Sequence, residues 1–200
     1  MIAIVDYSAG NLRSVTNALG RIGAEWTLTS SPGVIARADR VLLPGVGHCG
    51  EALARLRDCE GLERCLLDLR VPVLGICVGM QMMCRHTEEG DAPGLGIFDT
   101  CVRRLSPLEP ADKVPHMGWN SISNLEGRLM KGIPRGAYMY FVHSYYAPLC
   151  PDTIATTRYS SARGGMISAA LGYENFFGTQ FHPEKSGDAG EMILKNFLLL

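Results

Sequence analysis

Two short segments carry the residue types and spacings that can do chemistry. Leu74-Gly75-Ile76-Cys77-Val78-Gly79-Met80-Gln81 sets a cysteine between glycines where a buried apolar run gives way to a helical pattern, the layout of a nucleophile elbow. A thiol placed there meets the free N–H groups and dipole of a helix N-terminus, which favour thiolate, while the Val78 N–H points toward a developing oxyanion. Gln180-Phe181-His182-Pro183-Glu184-Lys185 supplies the complementary groups. Pro183 biases His182 toward an extended conformation, and extended geometry puts His182 and Glu184 on one side of the chain. A carboxylate beside an imidazole fixes its tautomer and stabilises its charged form, leaving the other nitrogen free to exchange a proton with a thiol. Each segment has a plainer reading, Cys77 as a small buried residue among packing glycines and His182 as a strand-end imidazole capped by an acid. Together they point to hydrolysis of a small amide, with Cys77 as nucleophile, His182 as acid/base and Glu184 as its orienter.

The remaining cysteines read as structural. Cys84 falls seven residues after Cys77, two helical turns deeper on the same face, and Cys49, Cys59, Cys65, Cys101 and Cys150 have no activating neighbours in sequence. Seven is an odd number, no CxxC pair occurs and no signal sequence accompanies them, so reduced thiols in the cytoplasm are expected rather than a disulfide framework. No Cys/His group has ligand spacing, so neither metal nor other cofactor is expected.

The elements that must position these groups follow from the apolar patterning. Ile2 to Asp6, Trp26 to Thr29, Arg40 to Leu43 and Val71 to Ile76 read as buried strands, alternating with helices over Asn11 to Ile22, Gly50 to Leu69 with a break at Gly61, and Val78 to about Arg85. After Gly94 come short strand-like segments at Cys101 to Leu105, Tyr138 to His143, Ile154 to Thr157, Met166 to Leu171 and Phe176 to Phe181. The last is followed by a helix from Gly187 to Leu200 with Met192, Ile193, Phe197 and Leu200 on one face. The expectation is one α/β domain over residues 1–200, a mostly parallel central sheet flanked by helices with a β-rich second half, its ligand at the carboxyl ends of the strands.

Composition narrows the partners. The chain has 200 residues, a formal net charge of -1 and acids and bases scattered throughout, so no nucleic-acid stripe or membrane-binding basic face is expected. A charge at Asp6 arrives before the first apolar run becomes a signal-peptide core or a spanning helix.

Taken together, GICVGMQ at 75–81, PGVGH at 44–48 and QFHPEK at 180–185 resemble the class I, or triad, glutamine amidotransferases over nearly the whole chain. DYSAGN at 6–11, LPGVGH at 43–48, PHMGWN at 115–120 and YFVHSY at 140–145 resemble the glutaminase subunits of imidazole glycerol phosphate synthases within that family. The resemblance implies hydrolysis of L-glutamine to L-glutamate and ammonia. The ammonia is passed to a (β/α)8 cyclase subunit of a heterodimer that makes imidazole glycerol phosphate and aminoimidazole carboxamide ribonucleotide in histidine biosynthesis. It further implies that Val46 and Val78 donate to the oxyanion, and that Gly45, Gly47, Gln81, Ser144 and Tyr145 hold glutamine. Asn11, Met117, Trp119 and Lys185 would face the cyclase. Ser8 and Val78 depart from the family's usual Gly and Leu. For the aromatics between Tyr140 and Tyr146 ordinary core is the expected role. Three rival readings keep this or a related fold: a paralogue serving surface-sugar amidotransfer, a catalytically silent docking subunit, and a free-standing cysteine hydrolase or protease-like protein, which would not need the HMGWN segment at 116–120.

Overall fold

A computed structural model describes residues 1–8, 12–108 and 113–200. The first half alternates strand and helix: β1 (Ile2–Val5), α1 (Leu12–Arg21), β2 (Trp26–Thr29), α2 (Pro32–Ile35), β3 (Arg40–Leu43), α3 (Cys49–Asp58), α4 (Leu62–Asp68), β4 (Val73–Ile76) and α5 (Val78–Met82). β1 and β4 bury every residue, as strands covered on both faces must. The second half is strand-rich: β5 (Cys84–Thr87), β6 (Ala92–Pro93), β7 (Phe98–Arg104), β8 (His116–Ser121), β9 (Tyr138–His143), β10 (Tyr145–Tyr146), β11 (Thr153–Arg158), β12 (Met166–Tyr173) and β13 (Phe176–Thr179), closed by α6 (Gly187–Leu198). No helix among the described residues is long and apolar enough to cross a membrane.

The main sheet has seven strands in the order β11-β12-β13-β4-β3-β1-β2. Its five strands from β13 to β2 run parallel, and β11 and β12 are antiparallel additions. This is the mostly parallel sheet expected, and its order places β13, β4 and β3 side by side. Their carboxyl ends lead directly into the His182, Cys77 and Val46 loops. A four-stranded sheet, β10-β7-β5-β6, and the β8–β9 ribbon complete the second half.

Three expectations need correction. The helix after Cys77 stops at Met82 rather than Arg85, and Cys84 begins strand β5 between β7 and β6. Tertiary strand pairing overrides the local pattern there; Cys84 is fully buried as expected, but by a sheet rather than a helix. The segment 116–121, read only as a motif, is a strand, because β9 supplies six paired partners despite a positive φ at Gly118. In α6 the buried residues are Gly190, Ile193, Leu194 and Phe197, while Met192 is exposed. That set follows the i, i+3, i+4, i+7 stripe, from which Met192 is rotated. Asn11 lies outside the described residues.

Gly79 makes one of the tightest approaches among the described glycines. A Cβ there would collide with the Leu43 carbonyl oxygen, a backbone atom with no side-chain freedom to yield. Overpacking usually costs about 1 to 3 kcal/mol and more where nothing relaxes, so Gly79→Ala should destabilise the chain by about 3 kcal/mol or more. Urea unfolding checks this, and a loss below about 1 kcal/mol would contradict the packing described.

Candidate active site

The turn that carries Cys77 is built from two parallel strands held in register. Thr179 pairs with Ile76 across β13 and β4, and the ladder continues one step as the Cys77 N–H donates to the Thr179 carbonyl at 2.7 Å. Cys77 itself has φ 53° and ψ -107°, a conformation costing about 1 to 3 kcal/mol for a residue with a Cβ. The strain presents the side chain at the head of α5 while leaving it only 4 % exposed. Cys77 Sγ lies 3.6 Å from Gln180 Nε2 and 3.9 Å from the Val142 carbonyl oxygen.

His182 and Glu184 are joined as the sequence indicates, but through a turn rather than an extended chain. Pro183 to Lys185 form one 3₁₀ turn, closed by the Lys185 N–H donating to the His182 carbonyl at 3.0 Å. The fixed φ of proline suits this turn as well as a strand. His182 Nδ1 and Glu184 Oε1 lie 2.8 Å apart, both side chains 3 % exposed. The Ser186 hydroxyl donates to the His182 carbonyl at 2.6 Å and accepts the Tyr140 N–H at 3.0 Å, tying the turn to β9. Burial opposes a charged His182 ring, but hydrogen bonding and charge from Cys77 and Glu184 outweigh it and hold the pKa up to about 9. By contrast burial pushes the thiol of Cys49 up to about 12, and those of Cys65, Cys84 and Cys150 above the usual range. A buried thiol and an imidazole oriented by a carboxylate can run nucleophilic attack with proton transfer.

These groups open on a cavity of about 310 Å³, the size that suits a small metabolite. Val46, Gly47, Val78, Gln81, Ser144, Tyr145 and Lys185 line it with Cys77 and His182. Gly45 stands behind this wall instead of in it, where a Cβ would meet the Gly79 nitrogen at 2.5 Å. Tyr7, fully buried on the loop after β1, donates its hydroxyl to the Pro44 carbonyl at 2.6 Å, so the entry to the Gly45–Gly47 segment is clamped. Gly47 has φ +85° and open space around it. Met117 and Trp119 stand 63 % and 55 % exposed on β8, beside an exposed Lys185 whose Nζ sits 5.9 Å from the Tyr140 ring centroid. Of the nearby aromatics Phe141 and Tyr146 are buried, while Tyr140 and Tyr145 are half-buried.

Sequence reasoning missed Glu89, Gln180 and His143 as wall or support residues. Glu89 lines the cavity and accepts the Cys49 N–H at 2.7 Å; its only sequence signal is its place just after Thr87, among other acids. Among the described residues no group of three His, Cys, Asp or Glu side chains gathers to hold a metal.

A family model described as glutamine amidotransferase class-I matches residues 3–200. A Bacteroides fragilis protein named imidazole glycerol phosphate synthase subunit HisH is 52 % identical over 199 residues, covering 100 % of this chain and 99 % of that protein. The Yersinia pseudotuberculosis protein of the same name is 44 % identical over 199 residues, with 98 % of each covered. Among solved structures, a glutamine amidotransferase from Thermotoga maritima superposes with a TM-score of 0.67 at 14 % identity, covering 98 % of this chain and 95 % of that one.

The three buried imidazoles generate a pH dependence whose signs differ. His182 holds its proton up to about 9 when folded and to about 6.5 when unfolded. The stability it contributes is complete below about pH 6.5 and is lost as pH rises through about 9. Burial lowers His116 to about 4 and, with repulsion from His116 and His182, His143 to about 3. The unfolded chain therefore binds more protons below about pH 6.5, and stability falls again on acidification. Thermal unfolding across pH 5 to 9 should give a maximum near pH 6.5, with the alkaline limb flattened in His182→Asn. An alkaline limb unchanged by that substitution would contradict the assignment.

Proposed function

This chain belongs to the class I glutamine amidotransferases, and from that membership we propose that Cys77, His182 and Glu184 are the triad with which it works. It hydrolyses glutamine for histidine biosynthesis. The observation that carries the triad is that Cys77 and His182 line one cavity from the ends of two paired parallel strands, with His182 Nδ1 held 2.8 Å from Glu184 Oε1. The histidine-pathway names of the relatives do not favour a surface-sugar customer.

In the proposed reaction Cys77 Sγ attacks the side-chain carbonyl carbon of glutamine, and the Val46 and Val78 N–H groups meet the oxyanion. His182 gives its proton to the departing nitrogen, releasing ammonia and leaving a glutamyl thioester. The same ring then takes a proton from water as it attacks the thioester, and glutamate leaves as the thiol is restored. Glu184 keeps the His182 tautomer in place throughout. Gly47, Gln81, Ser144 and Tyr145 form the substrate wall, Gly45 supports it, and Glu89 supplies the negative charge that an α-ammonium group needs.

Ammonia release is coupled to a partner in this reading. A (β/α)8 cyclase subunit docks on the face carrying Met117, Trp119 and Lys185, forming a cytoplasmic heterodimer over a single domain spanning 1–200. The peptide at Val46 acts as the switch, since turning one N–H away from the oxyanion costs about 10²- to 10³-fold in rate without moving Cys77.

Glutamate release measured for the chain alone, with cyclase, and with cyclase plus its nucleotide should rise by about two decades on the last addition. Equal rates in all three would defeat the switch. Cys77→Ala should lower turnover of the complex by about 10⁴-fold or more with docking intact. His182→Asn should cost more than Glu184→Gln at equal folded fraction, since the ring moves the proton and the carboxylate only holds it. Near-parental activity of Cys77→Ala would overturn the triad.

A further inference from the structure

Two buried imidazoles stand outside the triad. His116 on β8 and His143 on β9 face each other in the ribbon register and are 4 % and 6 % exposed. His116 Nδ1 lies 2.9 Å from His143 Nε2, His143 Nδ1 lies 2.8 Å from the Tyr145 carbonyl oxygen, and Asn120 Nδ2 lies 3.2 Å from His116 Nε2.

The proton positions are forced from both ends. A carbonyl oxygen only accepts, so His143 carries its hydrogen on Nδ1 and presents a bare Nε2. That nitrogen accepts from His116 Nδ1–H, which leaves His116 Nε2 to accept from Asn120. The amide of Asn120 cannot reverse, because its Nδ2 also donates to the Arg158 carbonyl at 2.8 Å and its oxygen accepts the Ser121 N–H at 2.8 Å. An extra proton on either ring would set two N–H groups face to face. On the far side the same Tyr145 carbonyl accepts from Gln81 Nε2 at 2.9 Å. Gln81 Nε2 also donates to Gln180 Oε1 at 3.0 Å, which turns Gln180 Nε2 toward Cys77 Sγ.

We propose that His116 and His143 are positioning residues for the glutaminase reaction. They form a neutral hydrogen-bond relay whose donors all point from the ribbon bearing Met117 and Trp119 to the Tyr145 carbonyl, where Gln81 donates from the other side and, through Gln180, reaches the Cys77 sulfur. The proposal rests on the reading of Cys77 as nucleophile. Burial keeps both rings neutral near pH 7, and among the described residues the titratable groups facing them are each other, His182 and the Tyr159 ring stacked 3.9 Å from His116. Of these three imidazoles His182 is then the one that exchanges protons near neutrality, while His143 holds the wall still.

The test uses the docked complex of this chain with its cyclase. Imidazole ¹⁵N spectra should show both rings as Nδ1–H tautomers that do not titrate between about pH 5.5 and 8.5. His116→Phe keeps a ring to stack on Phe141 and Tyr159 but deletes both hydrogen bonds. It should lower kcat/KM for glutamate release by about 10- to 100-fold, leaving cyclase turnover on added ammonia intact. Asn120→Asp, whose carboxylate only accepts, should make the His116 ring titrate above about pH 6. An Nε2–H tautomer in either ring, titration of the unsubstituted protein near about 6.5, or a His116→Phe complex within about twofold of parent would overturn the relay. If His116→Phe does not fold, the spectra of the unsubstituted protein decide. A parent complex that releases no glutamate would fail the glutaminase reading, and the spectra would still judge the relay.

Discussion

The site depends on how closely α5 can approach the ends of β3 and β4. Glycine at 45, 75 and 79 removes the side chains that would keep these backbones apart, and a Cβ at any of them would strike backbone or core atoms. The Cys77 N–H donates to the Thr179 carbonyl at 2.7 Å, fixing Cys77 to the strand that delivers His182. Parallel pairing does the rest, because neighbouring parallel strands end on the same edge. Three loops far apart in sequence thus meet without a long excursion of chain.

What local pattern governs was legible. Glycines around Cys77, the apolar strand before them and the acid two residues after His182 depend on short-range chemistry, and the structure brings them together. The missed parts depend on register across the fold. Strand β8 acquires its structure from β9, β5 from β7, and the imidazole pair spans 27 residues of sequence. The turn at Pro183 escapes a local reading because a fixed φ admits both strand and 3₁₀ geometry. Ser186, through bonds to His182 and Tyr140, selects the turn.

Electrostatics divides three similar side chains into different roles. His182, His116 and His143 are all buried, and burial alone drives an imidazole toward neutrality. Among the described residues His182 has a carboxylate at 2.8 Å and a thiol partner where the other two have neither, and there the charged form wins. The other two spend their nitrogens on each other, an amide and a carbonyl. Residue type offers chemistry; the partner at each nitrogen decides whether it is used.

The bonds from the Tyr7 hydroxyl to the Pro44 carbonyl and from the Cys49 N–H to Glu89 give the residues between them the mechanics of a short bridge held at both ends. The two holds stop motion from spreading into β3 or α3, while the open space around Gly47 leaves the peptide between them room to turn. A crankshaft rotation of one peptide in such a segment needs no repacking of the core. Its speed is therefore set by loop dynamics, faster than any rearrangement of the sheet beneath it.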